Sequence, residues 1–418
     1  MKRIIFTTLF FVNLHPVIAA DVLILDRAIE IAIGNNPEIA AAKGRVDAEH
    51  SMVISQGWPE APMAGWMKEE KLNFMEVNNG PMNFWLVSQK VEFPLELIYK
   101  SSSQRQRAFA SEQELLTTKW DVRRQVVTSY YNLYSLEKTL TLLNALREIF
   151  RDMARIVEAR RGTGQAPQQD EMKIHVEQTK LENDLILTEQ EHAVALAQLN
   201  AAMNRDADAK VVLPSGEIKT PQTNGNLGEL RDTELSETPE IKRAKFLSEA
   251  ANFSKESAKW KLGPTTLFSF RKPFTNDEPG AYGLNVEISI PLWFLMKEIP
   301  EINAATSLAI EADSKLTRAL RSTQVDFVAL STKVQTTSKL LTIYETALIP
   351  QTSTTFKSSR AAYQAGQINF IELLDSERSY YASQITFYQL LTQYVEVLSR
   401  LEQLLGRTLS TIPTGGIS

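Results

Sequence analysis

Asn35–Lys43 reads NNPEIAAAK, and Glu237–Lys245 reads ETPEIKRAK. Each copy sets a polar residue, Asn36 or Thr238, ahead of Pro-Glu-Ile. Asn and Thr are favoured helix N-caps, and proline is tolerated at the first helical position because its missing N–H has no intrahelical partner there. Both stretches therefore read as helix starts. The flanks repeat as well: Asn36-Pro37-Glu38-Ile39 maps onto Thr238-Pro239-Glu240-Ile241 at an offset of 202 residues, as do Gly164-Gln165 onto Gly366-Gln367 and Leu199…Arg205 onto Leu401…Arg407. Phe93-Pro94-Leu95 answers Ile290-Pro291-Leu292 at nearly that spacing. Such a repeat decides the fold. The chain reads as two copies of one plan, residues 21–205 and 230–407, with a Pro/Gly/Asn-rich linker at 206–229 and a tail at 408–418.

Within each copy the periodicity changes twice. The first helices are expected to run to about Gln56 and Lys259, where Gly57-Trp58-Pro59 and Gly263-Pro264 stop them. Next comes alternation. Tyr282, Leu284, Val286, Ile288 and Ile290 share one face, against Gly283, Asn285, Glu287 and Ser289 on the other. Trp85, Val87, Val91 and Phe93 stand similarly against Ser88, Lys90 and Glu92. With weaker partners upstream, each copy carries a β-hairpin, at about 61–93 and 264–291. Strands of roughly ten residues cross an outer membrane at a tilt. Trp58, Trp66, Trp85, Trp293 and Phe294 fall near strand ends, as an interfacial girdle requires.

No proline then appears between Pro94 and Pro167. A helix of that length spans about 100 Å. Val122, Val126, Leu133, Leu136, Leu140, Leu143, Phe150 and Val157 follow a three-four alternation, and Phe327, Leu330, Val334, Leu341, Tyr344 and Leu348 repeat it. This is the pattern of coiled-coil packing. Helical hairpins are expected at about 95–204 and 298–406, with return helices Gln168–Met203 and Asn369–Gly406. Pro350 should kink or break the second long helix.

The 418 residues carry a formal charge of -5, with 43% hydrophobic and 8% aromatic residues; mean hydropathy is -0.20. Nothing here suits nucleic acid. The chain has no cysteine, which excludes disulfides, thiol nucleophiles and an N-terminal lipid anchor on Cys. Lys2-Arg3, the apolar run Ile4–Val12 and small residues at Ala19-Ala20 read as a secretory signal peptide over 1–20. An exported chain without another apolar span can enter a membrane only through its strands. Four strands cannot close on themselves, and an open edge has no partners in lipid. Three copies would give a barrel of about twelve strands with a helical tube beneath it. A coiled-coil adaptor without membrane strands is the alternative.

The sequence resembles the TolC family of outer-membrane efflux proteins, in the branch that serves heavy-metal and related resistance–nodulation–division pumps. The paired NPEI and TPEI starts, the strand exits FPLEL and IPLWF, RRQVVTSYYNLYSLEKTLTLL, RRGTGQAPQQDEMK and YQAGQINFIELLDSERSYYASQ carry the resemblance across the whole mature chain. It implies a mainly α fold with membrane β, four strands per protomer, and a homotrimer forming a β-barrel and a periplasmic α-helical barrel. The partners it implies are outer-membrane lipid, a periplasmic adaptor (membrane fusion) protein and an inner-membrane pump. The implied job is a passive duct, possible cargoes being metal cations, organic compounds or, in type I secretion, proteins.

By the same resemblance the two helical reversals, Arg161–Pro167 and Tyr363–Asn369, lie together at the periplasmic tip. Arg161, Gly164, Gln165, Tyr363, Gly366 and Gln367 are the candidate adaptor contacts. Glu372 and Asp375, one turn apart, match the positions of an acidic ring at the tunnel's constriction, whereas Ile368 stands where a basic gate-locking residue is expected. No catalytic constellation, cofactor site or metal centre is expected. His50, His175 and His192 are scattered, Asp170 and Glu171 read as exposed, and Met63, Met67, Met75 and Met82 around the first hairpin read as membrane-facing or loop filler.

Overall fold

The computed structural model describes residues 22–69, 82–163, 167–214, 216, 218, 220–223, 235–273, 282–290 and 292–412. The signal segment, Gly164, Gln165, Met75 and Pro291 lie outside the described residues, as do much of the linker and the end of the tail.

Two short helices open the chain, α1 (Leu25–Asn35) and α2 (Pro37–Gln56). The turn between them is made by Asn36, whose side chain accepts the Glu38 N–H at 2.8 Å. α1 adds an element that the sequence reading folded into the first half: its Ala28, Ile29 and Ala32 are fully buried. The strands β1 (Met63–Glu69) and β2 (Met82–Val91) follow, then α3 (Pro94–Gly162) and α4 (Gln168–Ala202). The second half contains α5 (Pro239–Trp260), β3 (Thr265–Pro273), β4 (Gly283–Ser289), α6 (Glu298–Ile343), α7 (Ile349–Gln364) and α8 (Phe370–Leu405). α3 alone is 69 residues long.

One expectation needs correction. Thr238 does not cap α5: its hydroxyl is buried and finds no hydrogen-bond partner among the described residues. Its side chain is fully enclosed, so packing rather than capping decides its direction. The break expected at Pro350 is present: the α-helix ends at Ile343 and resumes at Ile349, one residue before the proline. Tyr344–Leu348 forms a single π-turn, with the Ile349 N–H reaching the Tyr344 carbonyl. The wider turn accommodates a proline that lacks an N–H and crowds the carbonyl four residues back.

The duplication is visible in how each half closes. Asn204 and Gly406, at the same offset of 202, both adopt positive φ, 54° and 63°. The Arg205 N–H bonds the Asn200 carbonyl at 2.9 Å, and the corresponding Arg407 N–H bonds that of Glu402 at 3.3 Å, so both return helices end in the same reversal. Each end lies against the opening motif of its own half. Asn204 Nδ2 donates to the Asn35 carbonyl at 3.1 Å, and a Cβ on Gly406 would stand 2.6 Å from Pro239 Cγ. A fully buried ion pair ties α3 to α8, Arg123 Nη1 to Glu402 Oε2 at 2.7 Å. Glu402 Oε1 also accepts the Leu409 and Ser410 N–H groups, and Arg123 donates to the Ile412 carbonyl at 3.0 Å.

Packing along the helices is a narrow seam. Val122, Val126 and Leu133 join α1 and α8 in one apolar cluster. Phe150 and Val157 join Ile174, Phe356 and Phe370 in a second, towards the reversals. A fully buried Leu, Val or Phe contributes about 1.5–3 kcal/mol. An exposed pair such as Arg151–Glu148 contributes ~1 kcal/mol or less. The stripe, not the surface charge, holds the hairpins.

The four strands form one antiparallel sheet in the order β1-β2-β3-β4. The two hairpins meet through β2 and β3, with Val87 opposite Phe270 and Ser88 opposite Ser269. Register sorts the faces. Trp66 faces Trp85 across β1–β2, and Val87, Phe270 and Leu284 line up across the sheet on the same side, as do Phe268 and Val286. The other side carries Ser88, Ser269 and Asn285, with Met63 and Met67 in β1. The apolar side is bare: Trp66, Trp85, Leu284 and Val286 are all more than half exposed. So is the elbow beyond β4, where Leu292, Trp293 and Met296 exceed 70%. Within the described chain β1 and β4 each have one unpaired edge. No described helix is long and apolar enough to cross a membrane.

Candidate functional site

The ends of α3 and α7 come together. Arg160 makes the junction. Its guanidinium lies 4.6 Å over the Tyr363 ring and donates to the Tyr363 carbonyl at 3.1 Å. A cation at a helix C-terminus satisfies carbonyls that have no intrahelical donor. α7 then reverses at Gly366, φ +75°, with the Gly366 N–H on the Tyr363 carbonyl and the Gln367 N–H on that of Ala362. A side chain at this φ is strained, which explains the glycine.

The candidate tip residues separate into two groups. Arg161 is half exposed and its Nε pairs with Glu171 at 2.9 Å, while Gln367 is exposed. Tyr363 is buried between Arg160 and Phe370, whose ring centroid is 6.0 Å away. Its side chain therefore packs the tip from within. Gly164 and Gln165 lie outside the described residues. Arg160 was missed in the sequence. As the first of two adjacent arginines in the last turn of a helix, it carried the charge signal, but not which of the pair turns inward.

Glu372 and Asp375 both lie exposed on the first two turns of α8. Asn369 and Glu372 cap the helix reciprocally: the Glu372 N–H bonds Asn369 Oδ1, and Asn369 Nδ2 bonds Glu372 Oε1, both at 2.9 Å. Asp375 stands 3.9 Å from Arg378 Nη1. Arg378 also pairs with Glu177 of α4, so the basic residue near the acidic pair sits one turn beyond Asp375, not at position 368. Ile368 instead packs on the apolar cluster. Burial alone would raise the Glu177 carboxyl, but hydrogen bonds from Arg378 and Lys180 outweigh it and hold the group below the usual carboxylate range. Two ties, Arg160 to Tyr363 and Arg378 to Glu177, thus link the helical hairpin of one half to that of the other.

The remaining polar candidates are dispersed. His50 pairs with Glu112 at 2.8 Å, His175 with Gln178 at 3.2 Å, and His192 lies 3.7 Å from Glu137. Among the described residues no three His, Asp or Glu side chains gather as metal ligands.

A four-stranded antiparallel sheet with a bare apolar face and very long paired helices, tied together at one end through Arg160 and Tyr363, are the features of the TolC-like fold, and this chain has it. Solved structures with the same fold include CusC, 18% identical with a TM-score of 0.79 over 92% of each chain. VceC from Vibrio cholerae is 15% identical, with a TM-score of 0.78 over 92% of this chain and 96% of that one. The open state of the MtrE outer membrane channel of Neisseria gonorrhoeae is 16% identical, with a TM-score of 0.76 over 92% and 89%. In sequence, the cobalt-zinc-cadmium resistance protein CzcC of Cupriavidus metallidurans is 22% identical over 413 residues, 95% of this chain and 93% of that protein. No protein-family model matches the chain.

Proposed function

We propose that the chain is the outer-membrane exit duct of a tripartite efflux system. The observation that carries this reading is the sheet, apolar and bare on one face, mixed on the other, where Ser88, Ser269 and Asn285 stand beside Met63 and Met67, with one open edge on β1 and one on β4. Such a sheet is stable in lipid only when its edges are paired. Three copies joined β1 to β4 make a barrel of about twelve strands, in which the face carrying Ser88, Ser269 and Asn285 lines a water-filled bore. Exposed apolar residues on the helices, among them Val176 and Val194 on α4 and Val325 and Val328 on α6, supply surface for the neighbouring protomers below it.

The periplasmic tip is the adaptor-docking end, where Arg161 and Gln367 are exposed, and the adaptor couples the duct to an inner-membrane resistance–nodulation–division pump. Glu372 and Asp375, brought together from three copies, form an acidic constriction that favours cations. Metal cations are the cargo this reading favours, supported by that acidic pair and by the name of the CzcC relative. Planar-bilayer recording tests the reading. The purified protein should conduct with cation preference, and Glu372→Gln with Asp375→Asn should reduce that preference. A water-soluble monomer that forms no pores would sink the duct.

A further inference from the structure

Phe370, Leu373, Leu374 and Tyr381 are buried at positions i, i+3, i+4 and i+11 of α8, which is one stripe of a helix. The i+7 position of that stripe is Glu377. It is fully buried, and neither carboxylate oxygen has a hydrogen-bond partner among the described residues. A carboxylate so placed is costly when charged and cheap when neutral. Its surroundings offer little relief. From α7 only the exposed Arg360 acts on it by charge. On α8 its neighbour along the stripe is Tyr381, whose own hydroxyl is pushed up to about 12 by burial and then by Glu377. Tyr380 follows beside Tyr381, their rings 5.2 Å apart. From α3, Arg160 is engaged by Tyr363, and from α4, Glu177 is engaged by Arg378 and Lys180.

We infer that Glu377 is a proton switch of the tip, neutral while α7 and α8 lie packed on the first helical hairpin, and giving up its proton to water when they separate. Its functional meaning rests on the tip being the gate proposed above, but the switch itself is a property of the packing. Burial pushes the packed carboxyl up to about 8, with Arg360 offsetting only part of the effect. A separated, hydrated Glu377 returns to the usual glutamate value of about 4.3. Between those values the packed state binds one proton more than the separated state. Raising pH across that window therefore favours separation, by about tenfold per pH unit, with no further change above the packed value. Glu177 does not give this response. It titrates in the opposite sense at lower pH, and guanidinium groups keep their charge across the whole window.

Amide hydrogen exchange of α7 and the first turns of α8 tests the switch, in full-length detergent-solubilised protein from about pH 5 to pH 9. Comparing wild type with Glu377→Gln at each pH cancels the intrinsic pH dependence of exchange. Glu377→Leu, which fills the same apolar stripe, serves as a second reference. The wild type should exchange faster than either variant, by a ratio that climbs about tenfold per pH unit and levels off near pH 8. A ratio that does not change with pH overturns the switch. Bilayer conductance separates the two readings: wild-type opening should rise over the same window and be flat in Glu377→Gln. A pH-dependent exchange ratio without that rise leaves the switch standing and overturns the tip as gate.

Discussion

Arg160, in the last turn of α3, caps the end of α7 by donating to the Tyr363 carbonyl at 3.1 Å while lying 4.6 Å over the Tyr363 ring. One side chain thereby ties the end of α3 to the end of α7. Arg160→Ala removes a charged hydrogen bond and a cation–π contact, together about 1–3 kcal/mol. Exchange protection should fall at Ala361–Gly366 and remain unchanged in α1. A variant protected like wild type would show that apolar packing alone holds the tip.

Two glycines at positive φ should respond unequally to the same change. At Gly366 an added Cβ meets open space, so Gly366→Ala costs only the backbone strain of about 1–2 kcal/mol. At Gly406 it meets Pro239 Cγ at 2.6 Å, where two elements already pack. Gly406→Ala should lower the melting temperature more than Gly366→Ala does. Equal losses would contradict the contact between the end of α8 and the start of α5.

The Arg123–Glu402 pair is wholly enclosed, and losing one partner strands the other. Arg123→Met alone should cost about 3–5 kcal/mol. The double variant Arg123→Met with Glu402→Leu should recover most of the loss, because apolar replacements leave no buried charge. Circular-dichroism melts of the single and double variants measure the difference. A double variant no better than the single would mean that the bonds to Leu409, Ser410 and Ile412, rather than the ion pair, are what the site contributes.

Glu177 predicts an acid-side response. Its carboxyl is held below the usual range, so its tie to Arg378 is fully present above about pH 4.3 and is lost as pH falls through the lowered value. Protection of the α4–α8 contact should drop in that acidic window, and Glu177→Gln should remove the drop while lowering protection at neutral pH. Glu377 is protonated in packed and separated states alike at such pH, so the two responses occupy different windows.

Much of the fold could be read from punctuation and period. The Pro-Glu-Ile starts, Gly57 and Gly263 as stops, strict alternation over Tyr282–Ile290 and the proline-free run after Pro94 are local signals, and each marks an element in the structure. What the sequence hid depends on tertiary direction. Thr238 has the composition of a cap but its hydroxyl is sealed into packing. Arg160 and Arg161 are adjacent and chemically alike, and only the approach of α7 decides which one turns inward. Ile368 stands where a basic residue is expected, while Arg378 supplies one a turn beyond Asp375, where nothing in the linear pattern sets it apart from surface charge. Glu377 did leave a trace, as a charged residue at the i+7 position of an apolar stripe, but it stands among Asp375 and Arg378 and reads with them.

The central claim is that three copies of this sheet close edge to edge, and the absence of cysteine allows a direct test. Ala64→Cys on β1 is combined in turn with Leu284→Cys, Val286→Cys or Ile288→Cys on β4, and the protein is oxidised in native membranes. At least one pairing should yield a denaturant-resistant species of three chains with nothing larger, as a closed ring requires. No cross-link in any pairing, or a ladder running past three chains, would contradict the account.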